Sequence, residues 1–384
     1  MTDLLYSEVE EALRASVRSL LADRSPLPAV MRRAESAGTY DTDLWRALAV
    51  DLGVAGLLVP EQLGGAGASA REVAVVMEEL GRAVAPVPFL GSAVVATTAL
   101  LGCLEPDGGA ADGGSAAADA SPADPEIAAK LLAELARGER TAVLVVSFAS
   151  RTGAVTVTVD GGRLTGTVTS VADALVADVL LVLTEDGLYV VDVSDPGVTV
   201  TPAVSLDLTR QLCDVTLDGA AGRLVAAAPA ASAAVTSALL AGSALLASEQ
   251  LGVAMWCLET TVDYMKTRRQ FGRVIGSYQA LKHRIADVWV DVTQARAVAR
   301  YAAACLADGD PDLPVAAALA QAFVGPVAVR TAEECLQLHG GIGFTWEYPI
   351  HLFLKRAKAD SIAFGTAGAN RAALADLVDL APPE

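Results

Sequence analysis

Three stretches of this 384-residue chain carry side chains fit for chemistry. Thr267 to Arg273 reads TRRQFGR, and Ser277-Tyr278-Gln279 follows. An arginine such as Arg268 presents a planar, multi-donor head suited to a pyrophosphate. Gln279 can donate or accept through its amide. The same run also reads as a basic helix end that offsets the macrodipole. Gln337 to Phe344 reads QLHGGIGF. Its paired Gly340 and Gly341 let backbone amides approach a bound group closely, or simply end a helix. His339 beside them is either a ligand contact or a structural side chain. Glu249 lies alone in a long apolar run. Buried without a partner it would have a raised pKa and could serve as a base. Paired with an arginine it would be structural.

Other chemistries lack their residues. His283 and His351 have no spaced carboxylates, so three histidines make no metal site. Neither GxGxxG nor a Walker A motif occurs. The five cysteines are scattered singly, without CxxC spacing. Reduced thiols of this kind suit a cytosolic protein. The net charge of −18 argues against duplex nucleic acid or an anionic membrane as partner. The N-terminal MTDLLYSEVEEALRASVRSL has no apolar core for a signal peptide. Residues 224–248 are uncharged and long enough to cross a bilayer. Their Ala, Ser, Thr and Gly content, with Pro229 inside, reads as a buried helix instead.

The elements that must position these residues fall into three blocks. Residues 1–100 are helical in pattern. Ser7 caps a first helix, Asp41 or Asp43 opens a second, and Ser69 starts a third. Residues 103–125, rich in small residues and Asp, read as a flexible loop. Pro125-Glu126 opens a short helix ending near Gly138. From Thr141 to about Gly222 come short β-branched runs separated by turns such as Asp160-Gly161-Gly162, which suggest a small barrel or sandwich. After Pro229 the chain is helical again. One long helix spans roughly 232–267, a second follows Ser277, a third starts near Asp312, and a fourth leads into Gln337.

Taken in order, LVPEQLGGAG, EELGRAVAPVPF, VSLDLTRQLCDVTLDGA, TRRQFGR with IGSYQALKHRIAD, and QLHGGIGFTWEYP resemble the acyl-CoA dehydrogenase family over almost the whole chain. The resemblance implies an α+β fold: an N-terminal helical domain over 1–138, a middle β-barrel domain over 139–224, and a C-terminal four-helix bundle over 225–384. It implies FAD as cofactor and an acyl-CoA as substrate. A carboxylate takes the α-proton, the β-hydride passes to the flavin, and electrons leave to an electron-transfer flavoprotein. By match of motif, Arg268, Phe271, Gln279, Gln337, Leu338, His339, Gly340 and Gly341 would contact the ADP half of FAD held mainly by a neighbouring subunit. Thr366 matches a further flavin contact.

The departures are concentrated on the catalytic face. Phe364-Gly365-Thr366 stands where the family has Glu-Gly-Thr, so its usual base is missing. Some members carry the base near the start of the long helix, and that position falls near Gly242. The Thr-Glu-Pro strand motif is replaced by VVSFASRTGA, and TSVADA stands in place of a Trp-bearing flavin contact. This pattern resembles the non-catalytic partner of actinobacterial-type α2β2 dehydrogenases, some of which act on CoA thioesters of steroid side chains. The alternatives are a self-sufficient homotetramer that uses Glu249, and a structural homologue without flavin.

Overall fold

The computed structural model describes residues 4–36, 38–104 and 123–381. Most of the loop expected over 103–125 lies outside them.

The first block is helical because its caps are in place. Helix α1 (Glu8–Arg24) and helix α4 (Ala70–Ala83) each begin with a reciprocal capping box, Ser7 with Glu10 and Ser69 with Glu72. Asp41 caps α3 (Thr42–Arg46) by accepting from the Leu44 amide. Between α1 and α3 lies α2 (Leu27–Ala34), which the sequence reading passed over. A π-helical apolar segment, Phe89–Ala96, runs straight into α5 (Thr97–Gly102), and α6 is Pro125–Ala136.

The expected barrel is an open sheet of seven strands, bent around its own core. The strands are β1 (Ala142–Leu144), β2 (Thr158–Asp160), β3 (Arg163–Ala172), β4 (Val179–Leu183), β5 (Gly187–Asp192), β6 (Val198–Pro202) and β7 (Leu212–Ala227). Their order is β1-β4-β5-β7-β3-β2, with β6 also paired to β7. Only β1 and β4 run parallel. The long β7 pairs with β3 and β6 along its first part and with β5 along its second. Val143, Leu180 and Val191 from one half share a core with Leu164, Val171 and Val215 from the other.

The last block is built on α7 (Ala230–Thr267), α8 (Gln279–Asp308), α9 (Leu313–Leu338), α10 (Ile350–Asp360) and α11 (Ala367–Leu377). The third and fourth helices expected before Gln337 are one helix, α9. Pro326 costs it a backbone hydrogen bond, yet Val324, Val327 and Ala328 on either side are fully buried and hold it straight through. The uncharged run over 224–248 belongs to the end of β7 and the start of α7. Helix α7 is long and apolar enough to cross a membrane, but most of its side chains are buried inside the fold. The bundle core is rich in alanine, with Ala299, Ala302, Ala316, Ala320, Ala328 and Ala332 all buried.

The helical and sheet blocks are tied by a buried acid. Asp173 has left-handed φ of 64° just after β3. The Tyr40 hydroxyl donates to its Oδ1 at 2.5 Å, and the Gly91 amide donates to its Oδ2 at 3.1 Å. Burial pushes the Asp173 carboxyl up despite the nearby Arg210. Removing the donor leaves a buried carboxylate short of a partner, so Tyr40→Phe should cost about 1–3 kcal/mol in urea unfolding. An unchanged midpoint would show that this bond does not tie the blocks.

Candidate functional site

The two motif segments predicted to grip a nucleotide meet in the structure. Residues 268–274 form a tight hairpin between α7 and α8, made of strands β8 (Arg269–Gln270) and β9 (Arg273–Val274). Phe271 and Gly272 form its tip with φ of 50° and 78°. Beneath it Met265, Ile275 and Leu338 pack together with Tyr264, Tyr278 and Leu281. Leu338 belongs to the end of α9, so this small apolar core joins the hairpin to the Gln337–Gly341 run. Tyr264 also donates to the His339 carbonyl at 3.3 Å and stacks on its ring at 4.5 Å.

Between Tyr264 and Ala286 the chain has six cations (Lys266, Arg268, Arg269, Arg273, Lys282 and Arg284) and no acid, although acids outnumber bases overall. Arg273 lies over the Tyr278 ring at 4.0 Å, and Arg284 pairs with Glu334. Among the described residues Arg268, Arg269 and Lys282 have no ion-pair partner. Arg268, Gln279, Gln337 and Gly341 are exposed. Phe271 is 92% exposed. A bulky aromatic held at positive φ and in solvent gains nothing within its own chain. Gly341 is equally unexplained from within. Its φ is ordinary, and a Cβ built on it meets nothing within 4 Å.

Other motif residues have internal duties. His339 is buried; its Nδ1 bonds the Cys335 carbonyl at 2.7 Å and its Nε2 bonds the Tyr348 hydroxyl at 2.9 Å. Both ring nitrogens are used, and burial pushes its pKa down. The His339 ring is therefore a strut within its own chain, with both ring nitrogens engaged there. The Leu338 side chain is core, so only its backbone can face a ligand. The Thr366 hydroxyl caps α11 by accepting from the Ala369 amide at 3.2 Å.

The expected base positions come together and neither is acidic. Phe364 is buried, with φ of 50°, and its amide donates to the Phe148 carbonyl at 2.9 Å. Its ring meets Phe148 edge-on at 5.9 Å. A Cβ built on Gly242 would stand 2.7 Å from Cζ of Phe364. So Phe364, at the expected base position, and Gly242, near the expected alternative one, are neighbours here, one a phenyl ring and the other a glycine that leaves room for it.

Glu249 does not replace them. It is 1% exposed, and Arg210 donates to its Oε2 at 2.7 Å while Arg356 donates to its Oε1 at 2.5 Å. Arg210 also bonds Asp360 Oδ1 at 2.8 Å, and Arg356 bonds Asp207 and Thr209. Burial alone would raise the Glu249 pKa; the two guanidinium groups outweigh it and the net shift is downward. A carboxylate with both oxygens engaged and a lowered pKa is a poor proton acceptor. This geometry argues against Glu249 as the base of a self-sufficient enzyme. Asp360 goes the other way. Burial, then repulsion from Glu249, pushes its carboxyl well above the ordinary range, and Oδ2 has no partner. The sequence reading missed Asp207, Arg210, Arg356 and Asp360. The one available signal was Arg356, set at a core position between Phe353 and Ala357.

Glu249→Gln should therefore cost stability, about 3–5 kcal/mol at neutral pH, because it removes the carboxylate that both buried arginines share. A lowered carboxylate stabilises above its unfolded pKa and loses that contribution as pH falls through the folded value. The wild-type advantage over Glu249→Gln should thus shrink on acidification. Asp360→Asn, a neutral isostere, should cost less than about 1 kcal/mol. Equal losses for the two variants in denaturant titrations would refute this division of charge.

Comparison with known proteins agrees with the geometry. The acyl-CoA dehydrogenase N-terminal domain matches residues 7–104, and the acyl-CoA dehydrogenase C-terminal domain matches residues 232–378. The chain is 36% identical to "Acyl-CoA dehydrogenase IpdE2" of Mycobacterium tuberculosis over 91% of both chains. Its fold is similar to the ChsE4-ChsE5 complex from Mycobacterium tuberculosis, with a TM-score of 0.84, 27% identity and full coverage of both chains. It is also similar to the Tcur3481-Tcur3483 steroid ACAD G363A variant, with a TM-score of 0.81 and 29% identity over 97% of this chain and 98% of that one. With fold, motif order and near-complete coverage in accord, the chain belongs to the acyl-CoA dehydrogenase family of oxidoreductases.

Proposed function

We propose that this chain is the non-dehydrogenating member of a two-chain acyl-CoA dehydrogenase, gripping the ADP half of an FAD whose reactive ring sits on a partner subunit that supplies the catalytic Glu. The carrying observation is an asymmetry. At the base positions stand Phe364 and Gly242, with no acid, and Glu249 is committed to Arg210 and Arg356. At the nucleotide end, partnerless cations, a solvated Phe271 and an unneeded Gly341 all face outward. Supporting it, two of the solved structures similar to this chain are pairs of differently named chains. One of them is titled a steroid enzyme, which supports a steroid side-chain CoA thioester as substrate class.

The residues present fit such a cofactor. Arg268 and Arg269 would meet a pyrophosphate, Gln279 and Gln337 would hydrogen-bond polar edges, and the Gly340-Gly341 amides would approach an oxygen without a Cβ in the way. When bound, the flavin accepts the hydride taken from Cβ of the thioester. This chain's own contribution is positional: it fixes one end of a long cofactor, so that the other end is held in register with the partner's base. An electron-transfer flavoprotein would remove the electrons.

Expressing the chain alone and together with a family paralogue that retains the Glu tests this. The lone chain should be colourless and inactive on acyl-CoA. The pair should co-purify, show flavin absorbance and turn over. A yellow, active lone chain refutes the proposal. Within the pair, Gly341→Val should lower flavin retention at least about tenfold, on the order of a lost phosphate contact. The melting temperature of the lone Gly341→Val chain should change little, since a Cβ there meets nothing of its own chain within 4 Å. Full flavin retention by the variant pair would remove Gly341 from the grip.

A further inference from the structure

The catalytic face of this chain has lost more than an acid. A mainly apolar slot runs between the Phe89–Ala96 segment and the start of the sheet, lined by Leu90, Val95, Val143, Val146 and Phe148 together with the buried Asp173. The Phe364 ring closes its end, and the space left is about 30 Å³, room for no more than a water or two. Two separate chain positions are fitted to that ring, and a third to the glycine that follows it. Gly242 leaves the room, since a Cβ there would lie 2.7 Å from Phe364 Cζ and 2.9 Å from Val95 Cγ2. Phe148 packs its ring edge-on and accepts the Phe364 amide through its carbonyl. Arg151, from the same loop as Phe148, lays its aliphatic stem across Gly365 so closely that a Cβ there would sit 2.3 Å from its Cγ and Cδ.

Simple loss of a catalytic residue predicts none of this fit. A vacated acid position would leave a cavity or a polar replacement. Here the replacement is large, apolar and matched by a glycine far away in sequence, on α7. The backbone at Phe364 is also held at φ of 50°, which a bulky residue seldom adopts.

We propose that Phe364 is a plug: it occupies the end of a hydrocarbon-binding slot and, with Gly242 fitted to it, bars an acyl chain from this subunit. The proposal rests on the reading that thioester chemistry belongs to the partner. It gives that reading a steric cause for substrate choice between the two halves. Removing the ring merges its volume with the residual space, on the order of the ~150 Å³ at which an apolar cavity takes up a ligand.

Two measurements on the full-length chain test it. In the first, wild type, Phe364→Ala and Phe364→Leu are titrated by calorimetry with octanoyl-CoA and with CoA alone. Wild type should bind the two within twofold of each other. Phe364→Ala should favour octanoyl-CoA tenfold or more, with Phe364→Leu between them. Equal ratios for all three overturn the plug. The second is a stability cycle that needs no ligand. Gly242→Ala should lower the melting temperature in wild type, because its methyl meets the ring, and should lower it less in the Phe364→Ala background, where Val95 Cγ2 alone remains close. The same loss in both backgrounds also overturns the plug. The two readings fail separately. If Phe364→Ala gains no preference while the pair still needs both chains, the plug falls and the subunit assignment stands. A self-sufficient lone chain sinks the assignment whatever Phe364→Ala does.

Discussion

Two arginines and three carboxylates, all nearly sealed from solvent, set the relation between the sheet and the bundle. Arg210 and Asp207 enter from the segment before β7, Glu249 from the middle of α7, and Arg356 and Asp360 from α10. Placing five ionisable groups in the interior is expensive unless each finds a partner, and breaking one pair leaves the other member uncompensated. The cluster is thus tolerable in one arrangement only. That arrangement brings the Arg210 head within 5.5 Å of the Phe148 ring, and Phe148 in turn seats Phe364. The polar interior therefore reaches the closed slot through Phe148 and through Asp173, a lining residue near Arg210.

The molecule has two faces of opposite character. Around Phe364 every group is accounted for inside the chain: rings against rings, a glycine under a ring, an arginine stem over a glycine. Around Phe271 and Gly341 the inventory does not close. Aromatic surface, guanidinium groups and an unobstructed backbone are presented outward, on a hairpin kept in shape by Tyr264, Tyr278 and Leu338 beneath it. The first site is finished within the chain, and the second is left open to solvent.

Much of this was legible in the residues. The caps at Ser7, Asp41 and Ser69, the β-branched runs and the long apolar helix follow from local rules, and all formed as read. Helix α2 escaped because prolines at 26 and 28 resemble a break, whereas one of them sits in the first turn, where a missing amide costs nothing. Helix α9 was divided because Pro326 punctuates it, while burial on both sides overrides the break. The convergence of TRRQFGR with QLHGGIGF was implied only by resemblance, because the apolar contacts that join them involve ordinary Tyr and Leu residues. That Glu249 pairs with an arginine was one reading of the sequence, but which arginines hold it was not legible. Its partners lie 39 and 107 residues away along the chain, and no local pattern signals a pairing over that distance.

The alanine-rich centre of the bundle constrains how this chain can change over time. Methyl-sized contacts allow α7, α8 and α9 to lie close together, and trimming them further removes almost nothing. Enlarging any one forces backbones apart. Drift through that region is consequently one-sided: exchanges among alanine, serine and glycine pass, while bulkier newcomers are purged. Innovation in this polypeptide is therefore confined to its loops and rims, where recognition can be rewritten without disturbing the scaffold.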